Sequence, residues 1–128
     1  MIKFKFFLLI IVFYSCDNIG ENYIWNENGA DNFYRKFGTN GYDYGWSGSY
    51  SPYDEGIVIV GSRQTIIGGD KDLWVIKTDS RGKANWDKPF GGKGDDEGYD
   101  VISTADGGFI FVGYTWSFGK EQQLYIIK

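Results

Sequence analysis

From residue 42 onward, apolar positions alternate with polar ones or gather in short runs, each bounded by Gly, Asp or Asn. A period of two marks strands, and after the first 15 residues no stretch of ten or more carries the 3.6-residue period of a helix. Strands are predicted over 42–50, 56–63, 73–78 and 84–90, and again over 98–104, 109–115 and 124–128. Between them, Asp79-Ser80-Arg81-Gly82 and Asp106-Gly107-Gly108 place Gly where a tight turn wants positive φ, so neighbouring strands return as hairpins. The pattern predicts an all-β, antiparallel chain.

The first 15 residues read differently. Lys3 and Lys5 precede an unbroken apolar run from Phe6 to Tyr14, which stops at Ser15-Cys16-Asp17-Asn18. A membrane-spanning helix needs about 20 apolar residues, so this run is too short to span alone. A basic start, a short apolar stretch and a small residue are the layout of a signal peptide. With the chain's one Cys directly after it, the segment resembles a bacterial lipoprotein signal. That resemblance implies cleavage after residue 15, lipidation of Cys16 and a membrane anchor; ordinary secretion with a free N-terminal Cys is the alternative. The expected location is the cell envelope, at the outer membrane or cell surface in a Gram-negative cell. Residues 16–31 then form a tether, and 32–128 the folded part.

That folded part repeats. Phe37-Gly38, Gly41, Asp43 and Gly45 recur 53 residues later as Phe90-Gly91, Gly94, Asp96 and Gly98. Gly56 and Gly61 recur after 52 residues as Gly108 and Gly113, and Leu73-Trp74 and Ile76-Lys77 after 51 as Leu124-Tyr125 and Ile127-Lys128. A duplication with single-residue changes in its turns gives this drift. The units span about 38–90 and 91–128. Four short antiparallel strands in about 52 residues match one β-propeller blade, whose kelch form has a period of about 50.

The motifs Trp86, Phe90-Gly91-Gly92, Gly94-Asp95-Asp96, Asp106-Gly107-Gly108-Phe109, Gly113-Tyr114-Thr115 and Trp74-Val75-Ile76-Lys77-Thr78-Asp79 resemble a kelch-like repeat of secreted bacterial and archaeal proteins. The resemblance covers residues 32–128 and implies tandem four-stranded β-propeller-like blades, about two of them; it implies no activity. Ser51-Pro52-Tyr53-Asp54-Glu55-Gly56 departs from the Asp-Gly-Gly turn, so a looser first hairpin is expected.

A propeller closes with about four to eight blades, and two fall short. The second unit lacks a counterpart to 84–90, while residues 32–37 look like a spare copy of that strand. Three arrangements follow. Residues 32–37 complete the second unit in the same chain as a small sandwich, or complete it in a neighbouring chain so that copies build a ring, or the sequence is the start of a longer propeller. Apolar runs such as Ile57-Val58-Ile59-Val60 and Phe109-Ile110-Phe111-Val112 want cover on both faces.

Composition narrows the chemistry. The chain has 128 residues, no His and one Cys, which removes imidazole catalysis, imidazole metal sites and internal disulfides. Its net charge of −4 is the wrong sign for a nucleic-acid partner. The acidic turns Gly94-Asp95-Asp96-Glu97-Gly98 and Gly69-Asp70-Lys71-Asp72 offer oxygen ligands, making Asp95 and Asp96 the candidate metal residues, for calcium. The plainer explanation is that turns favour Asp and Gly. Nothing in the spacing brings two carboxylates across a sugar, so no catalytic residue and no cofactor are assigned, and the chain is read as a non-enzyme.

Aromatics are the remaining candidates. Tyr42, Tyr44, Trp46, Tyr50, Tyr53, Trp116 and Phe118 crowd the turns, where flat rings suit stacking on sugars or a protein partner. Trp74, Trp86, Phe90 and Phe109 fall at repeated positions and are expected to pack between sheets. Trp46, Tyr53 and Trp116 match no aromatic in the other unit and are the candidate ligand-binding residues. The expected function is a binding or structural module of the envelope, with glycan recognition and a fragment of a longer propeller as alternatives.

Overall fold

A computed structural model describes residues 33–128; the apolar N-terminal run, Cys16 and the tether lie outside the described residues. Seven strands form two antiparallel sheets. The first joins β1 (Asp43–Tyr50), β2 (Ile57–Arg63), β3 (Asp72–Thr78) and β4 (Ala84–Phe90) in chain order. The second joins β5 (Asp96–Ser103), β6 (Phe109–Thr115) and β7 (Gln123–Ile127). The described residues are all-β, as the alternating pattern predicts. The second sheet keeps three strands. Among the described residues, 33–37 hold no strand, and the Phe33 ring covers Gly82 in the β3–β4 turn.

Side chains alternate across a strand, so each sheet has two faces. On one face of the first sheet, register pairs Val60 with Val75 and Ser62 with Leu73. Val58, Val60, Leu73 and Val75 are all fully buried there against Val101 and Phe111 of the second sheet, with Phe90, Phe109, Tyr125 and Ile127 packed around them. Val101 and Ile127 both pair with Phe111, which puts them on one face of the second sheet. Gly98 allows the closest approach: a Cβ there would lie 2.4 Å from Val60 Cγ2 and 2.8 Å from Leu73 Cγ.

The two sheets do not meet through equivalent faces. The repeat counterparts of Val58, Val60, Leu73 and Val75 are Ile110, Val112, Leu124 and Ile126, on the far side of the second sheet from the core. Leu73 is 0 % exposed and Leu124 76 %. The front of one repeat packs on the back of the next. The same offset corrects the expectation for two tryptophans. Phe90 and Phe109 pack at the core, but Trp74 lies on the outer face of the first sheet, donating from Nε1 to Asp87 Oδ2 at 2.9 Å, and Trp86 is exposed. The counterpart of Trp74, Tyr125, does reach the core, because its sheet uses the opposite face.

Equivalent first strands lie side by side. Ser47 Oγ donates to Asp100 Oδ1 at 2.6 Å, Ser49 Oγ and Ser103 Oγ are 3.1 Å apart, and the Tyr53 hydroxyl donates to the Ala105 carbonyl. Partners advance together along β1 and β5, so the strands run parallel, joined by side chains instead of a backbone ladder.

The first hairpin shares a closing bond with the second, over a turn one residue longer and without a counterpart of the bond from Gly107 N to Thr104 O. Ser51 N donates to Gly56 O and Thr104 N to Gly108 O, each at 2.9 Å. Lys77 Nζ meets Asp54 Oδ2 at 2.6 Å, and Lys128 Nζ meets Asp106 Oδ2 at 2.8 Å. Asp54-Glu55-Gly56 thus stands in for Asp106-Gly107-Gly108, with Glu55 at φ 56° where Gly107 has φ 83°. Its sequence hides this because only the first and last residues match.

A left-handed conformation strains a residue with a Cβ, so Glu55→Gly is expected to stabilise the fold by about 1 kcal/mol in urea unfolding. The Lys77 hydrogen bond, assisted by Ser51, holds the Asp54 carboxyl at about 2, below the ordinary 3.8. A lowered carboxylate pKa stabilises the fold above the unfolded value and loses that contribution as pH falls through the folded one. Thermal stability is therefore expected to drop between about pH 4 and pH 2, with a shallower drop in Asp54→Asn.

Candidate functional site

Both first strands carry a β-bulge at the same repeat position. Register shifts between Gly45 and Ser47 in β1 and between Gly98 and Asp100 in β5, leaving Trp46 and Tyr99 as the extra residues. A bulge re-aims the side chain it carries. Here it brings the two rings together, with centroids 6.0 Å apart at 68°. Tyr44 stacks on Trp46 at 5.8 Å and 10°, and Tyr114 lies 5.7 Å from Tyr99. The result is a row Tyr44–Trp46–Tyr99–Tyr114 that crosses from one sheet to the other, with its first three rings exposed.

Charge borders the row. Lys71 Nζ sits 5.5 Å above the Tyr44 ring and 2.8 Å from Glu97 Oε1. The hydrogen bond to buried Glu97 raises the Lys71 pKa, so the ammonium stays charged. Burial, and then the Glu97 charge, push Tyr114 up to about 12 and raise Tyr99 as well, so both hydroxyls remain protonated at neutral pH. Beyond Tyr99 opens a depression of about 460 Å³ lined by Tyr99, Gly113, Tyr114, Gln122, Gln123 and Leu124. Ring faces, phenol hydroxyls and glutamine amides together can hold a ligand with flat apolar faces and many hydroxyls.

The three aromatics singled out in the sequence do not converge. Trp46 is in the row. Tyr53 lies at the opposite end of the sheets, bonded to Ala105 and packed beside Gly107. Trp116 follows β6 at the other end, where its backbone N donates to Asp95 O and its atoms crowd Gly94. Tyr99, Tyr114, Lys71, Glu97, Gln122 and Gln123 were not legible as site residues. One signal was present: Tyr99 stands 53 residues after Trp46, so Trp46 does have an aromatic counterpart.

Asp95 and Asp96 are occupied in loop closure. Asp95 Oδ1 accepts from Lys71 N at 2.9 Å, and Lys71 O accepts from Asp96 N at 2.7 Å. Asp96, fully buried, accepts at Oδ2 from Gly92 N at 3.1 Å and Ser117 Oγ at 2.6 Å, while Oδ1 has no partner. Its counterpart Asp43 likewise accepts from Thr39 N, four residues back. The repeated Asp is a staple that closes the loop before each first strand. Burial first, then the charges of Asp96 and Asp70, raise the pKa of neighbouring Asp72. Among the described residues, no group of three or more His, Cys, Asp or Glu side chains is placed to hold a metal ion.

No protein-family model matches the chain, and no curated protein matches it.

Removing the staple leaves two donors, Gly92 N and Ser117 Oγ, without their acceptor. Asp96→Ala is expected to destabilise the fold by about 2 kcal/mol or more, and calcium is expected to leave the melting temperature of the unaltered chain unchanged. A calcium-dependent rise would reassign Asp96 to an ion site.

Proposed function

We propose that the chain is a non-catalytic envelope lipoprotein, anchored through a lipid on Cys16, whose two sheets are β-propeller-like blades forming a binding module. The order Lys3, Lys5, apolar run, Ser15-Cys16 supports the anchor. Equivalent strands side by side, with front packed on back, support the blade reading, because successive blades of a propeller are related in that way. One observation carries the binding role: the exposed aromatic row across both sheets, bordered by the Lys71–Glu97 pair and the depression at Tyr99.

A glycan is the ligand class these groups suit best. Sugar rings present C–H faces that stack on Trp and Tyr, and their hydroxyls pair with phenols and amides. The full chain in mild detergent is expected to bind a defined subset of a glycan array. Trp46→Ala and Tyr99→Ala should each lose at least tenfold in affinity while melting close to the unaltered chain. Absence of glycan binding, or binding indifferent to both substitutions, would remove this ligand assignment.

A further inference from the structure

We infer that a second copy of this chain docks head to tail on the open face of the second sheet, its own first sheet packing there as the second sheet packs on the first within one chain. The open face carries Ile102, Ile110, Val112, Leu124 and Ile126, with Ile102, Leu124 and Ile126 exposed. All but Ile102 are counterparts of residues that the first sheet buries in the core. The complementary surface also exists. The outer face of the first sheet carries Ile57, Ile59 and Trp74, the counterparts of Phe109, Phe111 and Tyr125, which belong to the core cluster in the chain itself, with Gly48 standing where the second sheet has Val101. One molecule thus holds both halves of a contact whose geometry it already displays internally.

A glycine supplies an independent observation. Gly98 is required because Val60 and Leu73 press on it, at 2.4 and 2.8 Å from an added Cβ. Among the described residues, its counterpart Gly45 has no neighbour closer than Ile59 Cγ2 at 3.9 Å and no positive φ, so none of them requires glycine there. In the head-to-tail contact, Gly45 of the second copy meets Val112 and Leu124, the counterparts of Val60 and Leu73. The requirement then returns.

Such a contact runs head to tail, so it repeats until it closes. The second copy covers Leu124 at the depression, so the exposed rings and not the depression are what it leaves to a ligand, and it extends that row because its Trp46 arrives at Tyr99 as Tyr99 arrives at Trp46 inside the chain. The interface rests on the sheet packing and not on the ligand.

Disulfide trapping tests it. Ser49 and Ser103, with Oγ atoms 3.1 Å apart, have Ile102 and Tyr50 as counterparts. In the full chain with Cys16→Ser, Tyr50→Cys together with Ile102→Cys is expected to give an oxidised ladder ending in one closed species. Either substitution alone should give no link, and mixing the two single variants should give linked dimers. Gly45→Ala, or Leu124→Glu should the first fail to fold, is expected to abolish the ladder while leaving the circular dichroism unchanged. No link in the double variant, self-linking of a single variant, or a ladder indifferent to Gly45→Ala and Leu124→Glu would overturn the interface. Glycan binding by a chain that does not link would overturn this interface and leave the ligand proposal standing; linking without glycan binding would do the reverse.

Discussion

The fold depends on one contact, the packing of Val58, Val60, Leu73 and Val75 against Val101 and Phe111 across a glycine at 98. Neither sheet has a buried core of its own, since a single antiparallel layer leaves both faces in water. The contact is between unlike faces of two like sheets. That asymmetry sets everything around it: which hairpins touch, why β1 and β5 lie parallel through Ser47, Ser49, Asp100 and Ser103, and why Tyr125 is at the core when Trp74 is not.

Polar groups keep the approach specific. Within each sheet, an Asp staples the loop before the first strand, and a Lys at the end of the third strand pairs with the Asp of the first hairpin. These bonds recur at matching positions in both units although the surrounding residues differ. Lys77 is buried and Lys128 exposed, so the same pair sits in different dielectric surroundings. A buried ammonium without its carboxylate is costly, which ties the first hairpin more tightly to its pair than the second.

Strand positions were legible from the period of two and from Gly and Asp punctuation, and the repeat was legible from glycine spacing. The start of β5 was placed at Gly98, two residues late, because Asp96 and Glu97 read as turn residues although they pair with Thr115 and Tyr114. The buried face was not legible. Ile57-Val58-Ile59-Val60 and Phe109-Ile110-Phe111-Val112 are apolar on both sides, so alternation cannot say which side meets the partner sheet. The candidate site was half legible: Trp46 was chosen for lacking an aromatic counterpart, while Tyr99 stood opposite it at the same bulge. Tyr53 and Trp116 were grouped with it by residue type, and types do not reveal that they lie at opposite ends of the sheets.

The bulge joins the packing to the candidate site. In β1 the glycine before the extra residue has no Cβ to hold a neighbouring sheet away, and the extra residue is an aromatic turned outward; β5 repeats the pair as Gly98-Tyr99. Close approach of the sheets is what brings the two aromatics within 6.0 Å. A side chain at Gly98 would push the sheets apart and open the row at the same place. The packing at the core and the order of the exposed rings are therefore a single geometric constraint, read once on the buried side of the strand and once on its surface.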